Sequence, residues 1–157
     1  MKVLILSDSH NNKKNLDRLV PIIKSSIDLI IHAGDNFRDS VYLHNETNVP
    51  VCAVRGNCDI ENTDEDMIFE LEGLKIFLTH GHRYGVKYGL NDLARFSNEN
   101  NIDIAIFGHT HIKEHRVIGK TQFLNPGSLS QPRDGIEKSY VIMDINQEHY
   151  EYEYFTF

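Results

Sequence analysis

Apolar runs in this chain repeatedly end in imidazole, carboxylate or amide. "IDIAIFGHTH" places His109 and His111 two residues apart, and "MKVLILSDSH" places Asp8 and His10 the same way. Asp35 closes "DLIIHAGD", Asn57 and Asp59 follow "VPVCAV", and His80 and His82 follow "LKIFLT". Taken singly, each group has an ordinary explanation. Asp and Asn cap helices and close turns, and a lone His is commonly a satisfied boundary residue. Five groups at the same kind of position are harder to explain as turns. Imidazole and carboxylate together suit manganese, iron, nickel or zinc, and no cysteine cluster offers a thiolate site. Two adjacent cations would need a bridging carboxylate, and an Asn could add a carbonyl oxygen without negative charge. Two divalent ions set against Asp8, Asp35 and one hydroxide leave a centre of roughly +1, which attracts a phosphate ester.

These groups need elements that bring them together. "KVLIL" and "DLIIHAGD" read as buried strands, and "VPVCAVRGNCD" as a third strand running into a Gly-Asn turn. Between them, "NKKNLDRLVPIIKSSI" sets Leu16, Leu19, Val20 and Ile23 on one helical face, with Pro21 arguing for a kink or an early break. "RDSVYLHNET" reads as a short helix. Strand–helix alternation of this kind implies parallel pairing with helical crossovers. Further on, "MIFELEGLKIFLTHG" reads as a hairpin through Glu72-Gly73, "YGLNDLARFSNENN" as a helix and "IDIAIFGHTH" as a buried strand. "EHRVIGKTQFLNPGSL" reads as a hairpin around Gly119-Lys120 followed by a tight Pro-Gly turn, and "SYVIMDINQEHYEYEYFTF" as a closing hairpin. The pattern predicts an α/β protein with two packed sheets and helices outside. In such sheets ligands bind beyond the carboxyl ends of the strands, which is where the polar groups fall.

The chain has 157 residues, 40% of them hydrophobic and 25% charged, an ordinary composition for one domain spanning 1–157. Its net charge of −7, from 16 basic and 23 acidic residues, gives no general pull on nucleic acid, and it shows no basic, aromatic-interleaved track. Cys52 and Cys58 form no disulfide framework. With no signal peptide or run of transmembrane length, the expectation is a cytoplasmic protein without a membrane partner.

"DSH" at 8–10, "GD" at 34–35, "GNCD" at 56–59, "THGH" at 79–82 and "GHTH" at 108–111 resemble, in order, the five blocks of the calcineurin-like metallophosphoesterase superfamily. "NPGS" at 125–128 is similar to a turn of its small single-domain branch, which includes archaeal and bacterial phosphodiesterases. The resemblance implies a four-layer α-β-β-α sandwich, two mixed sheets flanked by helices, of the metallo-dependent phosphatase kind. It implies that Asp8, His10 and His111 hold one metal, that Asp35 bridges, and that Asn57, His80 and His109 hold the second. It implies two divalent ions, manganese or nickel first and iron or zinc next, and hydrolysis of a small phosphoester by hydroxide.

Position 58 departs from the pattern: many larger members have His after the GN asparagine, and here stands Cys58. A neutral thiol is a poor proton donor to an alkoxide and carries no charge. His82 reads as a phosphate contact, a ligand-orienting group or a solvent-facing residue. Asp59 reads as orienting a ligand imidazole or as a turn former, and Arg55 as electrostatic support or as pointing away. Asn11, Asn36 and Cys58 are possible substrate contacts. With no inserted cap and no obvious Arg clamp, small phosphodiesters are favoured over monoesters. A related fold serves as a protein-binding scaffold in the retromer subunit, so a metal-binding interaction role is the alternative from another class. In "EHYEYEYFTF", Tyr150, Tyr152 and Tyr154 would share one strand face and Glu151, Glu153, Phe155 and Phe157 the other, for edge packing or a homo-oligomer contact.

Overall fold

The structure is a computed structural model and describes residues 1–147 and 149–157. Among the described residues, ten strands form two mixed five-stranded sheets. In the first, β1 (Lys2–Leu6), β2 (Leu29–His32) and β3 (Val51–Ala53) run parallel, and β9 (Ser139–Asn146) and β10 (His149–Thr156) extend the sheet antiparallel beyond β1. Val3, Leu4, Ile5 and Leu6 are all fully buried, so β1 reads as an unbroken apolar run because both of its faces are covered.

Helix α1 (Lys13–Ser26) and helix α2 (Phe37–Thr47) make the crossovers. The Asn12 side chain accepts the Asn15 N–H and starts α1, and Leu16, Leu19 and Ile23 face the sheet. The break expected at Pro21 does not occur: the helix continues to Ser26 with Pro21 inside it. Pro21 lies on the exposed face, where water can take the carbonyl that it leaves without a donor.

In the second sheet β5 (Leu74–Thr79), β6 (Ile104–Ile106) and β8 (Thr121–Pro126) run parallel, with β4 (Asp66–Leu71) and β7 (Lys113–Ile118) as antiparallel edges. The β4–β5 hairpin turns at Glu72 and Gly73, both at positive φ (50° and 86°), as a two-residue turn of this hand requires. Helix α3 (Asn91–Glu99) links β5 to β6.

Four layers result. Ile5, Ile31, Ile76, Leu78, Ile104 and Ile106 pack between the sheets, one core lies under α1 and α2, and a third, around Phe77, Leu93 and Phe107, lies under α3. Truncating the fully buried Phe77 to Ala would cost about 3–5 kcal/mol. The aromatic tail packs as an edge: Tyr150, Tyr152 and Tyr154 meet the inter-sheet core, and Phe155 and Phe157 meet the core under α1. The Tyr154 hydroxyl lies 2.9 Å from both Glu114 O and Asn125 O, tying the edge of one sheet to the other. The carboxyl ends of β1, β2, β3, β5, β6 and β8 meet along one side of the sandwich, and the polar loops converge there.

Candidate metal centre

The loops at this edge hold their residues in an uncommon backbone conformation. Asp8, His10, Asp35, His109 and His111 have φ values of 52, 45, 52, 69 and 60°. Left-handed backbone costs a non-glycine residue about 1–3 kcal/mol and persists only where its surroundings enforce it. Here the loops lash one another: Asp8 N–H donates to Gly34 O at 3.0 Å, His10 N–H to Asp35 O at 3.2 Å and Gly108 N–H to His80 O at 3.2 Å. Ser128 and Ser130 both donate from Oγ to Asp8 O at 2.8 Å. The approach is too close for side chains at several points. A Cβ on Gly56 would land on Asp35 Oδ1, and one on Gly108 would land on Ser7 Oγ.

Two clusters share Asp35. In the first, donor atoms of Asp8, His10, Asp35 and His111 all lie within 4.8 Å of one another. His111 Nε2 is 3.0 Å from Asp8 Oδ1, 3.3 Å from His10 Nε2, and His10 Nε2 is 3.8 Å from Asp35 Oδ2. In the second, His80 Nε2 is 3.4 Å from Asp35 Oδ1 and 3.3 Å from His109 Nδ1. Asp35 therefore presents one oxygen to each cluster.

The residues fit metal ions. His111 Nδ1 meets Gln131 O and His80 Nδ1 meets Ala33 O, each at 2.7 Å. A carbonyl only accepts, so both rings carry their proton on Nδ1 and, when neutral, turn a bare Nε2 lone pair inward. Those lone pairs face the carboxylates of Asp8 and Asp35 and the ring nitrogens of His10 and His109. Asp8 is fully buried, and its Oδ1 faces His111 Nε2, which can donate to it only when that ring is charged. Such a set is stable only around positive charge. Burial opposes charging His80 and His111, yet the hydrogen bond and charge of Asp35 on the first, and of Asp8 on the second, raise both above the ordinary histidine range. Against its own burial, Asp35 is held far below the usual carboxylate range by His80 and by the Cys58 N–H. Burial, His80 and Lys87 push His109 down to about 4. The mixed nitrogen and oxygen donors suit a first-row divalent ion.

The other residues singled out in the sequence lie nearby with different partners. Asn57 is exposed and its amide donates to Cys58 Sγ at 3.4 Å, not to either cluster. Cys58 donates its N–H to Asp35 Oδ1 at 3.0 Å; burial and Asp35 push its thiol up to about 11, so it remains neutral. Asp59 meets no imidazole. Its carboxylate accepts from the backbone N–H groups of Asp35, Phe37 and Gly56 at 3.1, 2.8 and 2.7 Å, which makes it the staple of this turn. Of its two expected roles, orienting an imidazole or forming the turn, these contacts are the second, and the carbonyls of Ala33 and Gln131 meet the rings of His80 and His111. Asn36 turns its amide to Asp39 Oδ1 at 3.1 Å, and Asn11, exposed, gives its N–H to Asp39 Oδ2 at 2.9 Å. The His82 ring centroid lies 5.5 Å from that of His80 and 6.0 Å from that of His109, with Nδ1 buried and without a partner. Arg55 Nη2 is 2.8 Å from Glu65.

Supports that the motifs did not reveal complete the centre. His32, fully buried at the end of β2, links Ser9 Oγ (2.9 Å) to the Gly34 N–H (3.1 Å) and so couples the Asp8 and Asp35 loops. Burial lowers its pKa, keeping it neutral. Its signal was present, a lone polar residue within "LIIHAGD". Asn125 donates to Gly108 O at 3.0 Å and Thr110 Oγ1 at 3.1 Å, and accepts the Gly127 N–H at 2.9 Å. The "NPGS" turn thereby clamps the loops of Asp8 and His111 together.

A buried carboxylate–imidazole centre at the common strand ends of an α-β-β-α sandwich marks a metal-binding protein of the metallo-dependent phosphatase fold. The chain belongs to the calcineurin-like phosphoesterase superfamily, whose domain profile matches residues 1–148. It is 34% identical to the probable metallophosphoesterase YsnB of Bacillus subtilis, over 94% of this chain and 86% of that protein. It is 30% identical to the phosphodiesterase YfcE of Escherichia coli, over 92% of this chain and 88% of that protein. The solved YfcE structure superposes with a TM-score of 0.71, at 27% identity over 92% of this chain and 88% of that one. Vps29 of Entamoeba histolytica complexed with Zn²⁺ superposes with a TM-score of 0.83, at 25% identity over 99% of this chain and 92% of that one.

Proposed function

We propose that this chain hydrolyses small phosphodiesters at a dinuclear metal centre in the cytoplasm. The observation that carries this reading is Asp35, buried, with one carboxylate oxygen toward each imidazole cluster. Asp8, His10 and His111 would hold one ion, His80 and His109 the other, and Asp35 both; Asn57 would complete the second by turning its carbonyl oxygen inward. When bound, such ions supply Lewis acidity and an acidified water. The fold supplies orientation: the carbonyls of Ala33 and Gln131 fix the rings of His80 and His111, and Gly108 and Gly56 let the backbone close in. Manganese or nickel suits the donor set first, iron or zinc next.

The neutral Cys58 thiol adds no positive charge beside the centre. A diester carries one negative charge and asks for less compensation than the dianion of a monoester, and YfcE is named a phosphodiesterase. No described helix is long and apolar enough to cross a membrane, and Cys52 and Cys58 are free thiols. A homo-oligomer contact through the tail would use the exposed Glu151 and Glu153, since the aromatic residues turn inward.

The Zn²⁺-bound Vps29 neighbour favours one other reading, a metal-binding interaction scaffold. Metal-stripped protein reloaded separately with Mn²⁺, Ni²⁺, Fe²⁺ or Zn²⁺ and given matched phosphodiesters and phosphomonoesters separates the two. Diester hydrolysis, absent in Asp35→Asn, is expected. Metal binding without hydrolysis of any ester, together with a stable protein complex, would establish the scaffold.

A further inference from the structure

A cleft of about 350 Å³ opens beside the centre, on the side of the His109–His111 loop. Thr110, between the two histidines, forms one wall, so the cleft and the centre share a loop. Val86, Leu90 and Ile112 supply an apolar surface, and Lys87 and Arg133 stand at its rim. Both cations are exposed. The Arg133 N–H donates to His111 O at 2.9 Å, which fixes the base of that side chain against the centre.

The cations around the centre are not alike. On the His82 side, Arg55 pairs with Glu65 at 2.8 Å, and Arg83 with Glu65 at 3.0 Å and Asp66 at 3.2 Å. Within the cleft Arg116 pairs with Glu114 at 2.8 Å. Lys87 and Arg133 have no carboxylate within ion-pair distance among the described residues. In a chain of net charge −7, two uncommitted cations on one apolar cleft next to the centre form a receptor for an anion. Guanidinium presents a planar fork that matches phosphate oxygens, and ammonium adds a point charge. The apolar side chains in the lining suit a ring.

We propose that this cleft receives one arm of the substrate, and that the arm carries a second phosphate beside a ring. The substrate class is thus a nucleotide-like phosphodiester bearing a further phosphate, held by Lys87 and Arg133 while the scissile group sits at the centre. This rests on the phosphodiesterase reading and narrows it.

The test compares thymidine 5′-(p-nitrophenyl phosphate) with the same ester carrying a 3′-phosphate, on metal-loaded protein. The second should be hydrolysed with a kcat/KM about tenfold higher, the size expected of two charge-assisted contacts at an exposed rim. In the double variant Lys87→Ala/Arg133→Ala that ratio should fall to about one, and in Arg133→Glu below one. Lys120→Ala, at the tip of the β7–β8 hairpin, should keep the wild-type ratio. Calorimetric binding of thymidine 3′,5′-bisphosphate against thymidine 5′-monophosphate should show the same preference and the same loss. Hydrolysis of both esters at a ratio unmoved by the double variant overturns the cleft and leaves the phosphodiesterase standing. Binding preference that depends on Lys87 and Arg133, with neither ester cleaved, does the reverse.

Discussion

The Asp8–His10–His111 side of the centre and the His80–His109 side are held with different tightness. On the first, Asp8 and His111 are 0% and 5% exposed, four donors already lie within 4.8 Å, and the Asp8 backbone is clamped by Ser128 and Ser130. On the second, only His80 has its ring anchored to a carbonyl within a buried setting; His109 is half-buried and Asn57 is exposed with its amide on Cys58. The first set of donors lies closed as it stands, whereas the second would need Asn57 to turn its carbonyl oxygen inward. Pre-organisation removes an ordering cost from binding. The first side should therefore bind its ion more tightly, and the second should be the side that exchanges.

Breaking the shared member tests both sides together and should give the largest effect. Asp35→Asn removes a charge common to the two clusters, so metal content measured by elemental analysis should fall at both. Activity should drop by well over the ~10–100-fold that follows loss of an outer hydrogen-bond partner. Full retention of two ions per chain would show that Asp35 does not bridge. The comparison itself is tested by His111→Ala against Asn57→Ala in metal titrations followed by calorimetry. His111→Ala should abolish the tighter binding event and Asn57→Ala should weaken only the looser one. Equal weakening of a single event by both would erase the distinction.

Removing a support rather than a ligand should cost less. Asn125→Ala leaves the buried Gly127 N–H without its partner and removes one of the two donors to Gly108 O, for a stability loss of about 1–3 kcal/mol. It should also loosen His109 and His111 and lower metal affinity by ~10–100-fold. Thermal unfolding with and without metal checks the first figure, and titration checks the second.

Much of this design is visible in the order of residues, and the remainder is hidden for definite reasons. The strands that carry Asp8, Asp35 and His109 are apolar apart from Lys2 and His32 because parallel strands are buried on both faces, and their polar ends stand out against them. Which Asp orients a histidine is not legible. The task belongs to the carbonyls of Ala33 and Gln131, and a backbone carbonyl leaves no mark on composition. Asp59 looks equally suited to either role until the turn closes on it. Pro21 misleads because its cost depends on which face of α1 it occupies. Lys87 and Arg133 are far apart in the chain and become neighbours of one cleft only through the packing of the second sheet.

The difference between the sides should also appear in the protons displaced by metal. Against their burial, Asp8 raises the pKa of His111 and Asp35 and Asp8 raise that of His80, so each holds its proton to higher pH than an ordinary histidine, and an ion must expel it. His109, at about 4, carries almost none. Metal affinity should then rise with pH through the histidine range at both events and level off once His111 and His80 are deprotonated. Calorimetry in buffers of differing ionisation enthalpy counts the protons. In His109→Ala the count should be unchanged, and in His80→Ala the looser event should lose its share.

The smallest effect should come from His82. Its ring stands 5.5 Å from His80 and 6.0 Å from His109, and its Nδ1 has no partner, so no ligand leans on it. Burial and the nearby His80 lower its pKa, which leaves it neutral and a weak source of either charge or protons at neutral pH. His82→Ala should therefore retain both ions and lose far less activity than the ~10²–10⁴-fold attributable to a general acid or base. Steady-state kinetics at saturating metal, beside Asp35→Asn, measures the gap. If His82→Ala falls as far as Asp35→Asn while its metal content stays intact, the buried nitrogen touches the reacting phosphate, and the second side of the centre has a catalytic partner that its looseness conceals.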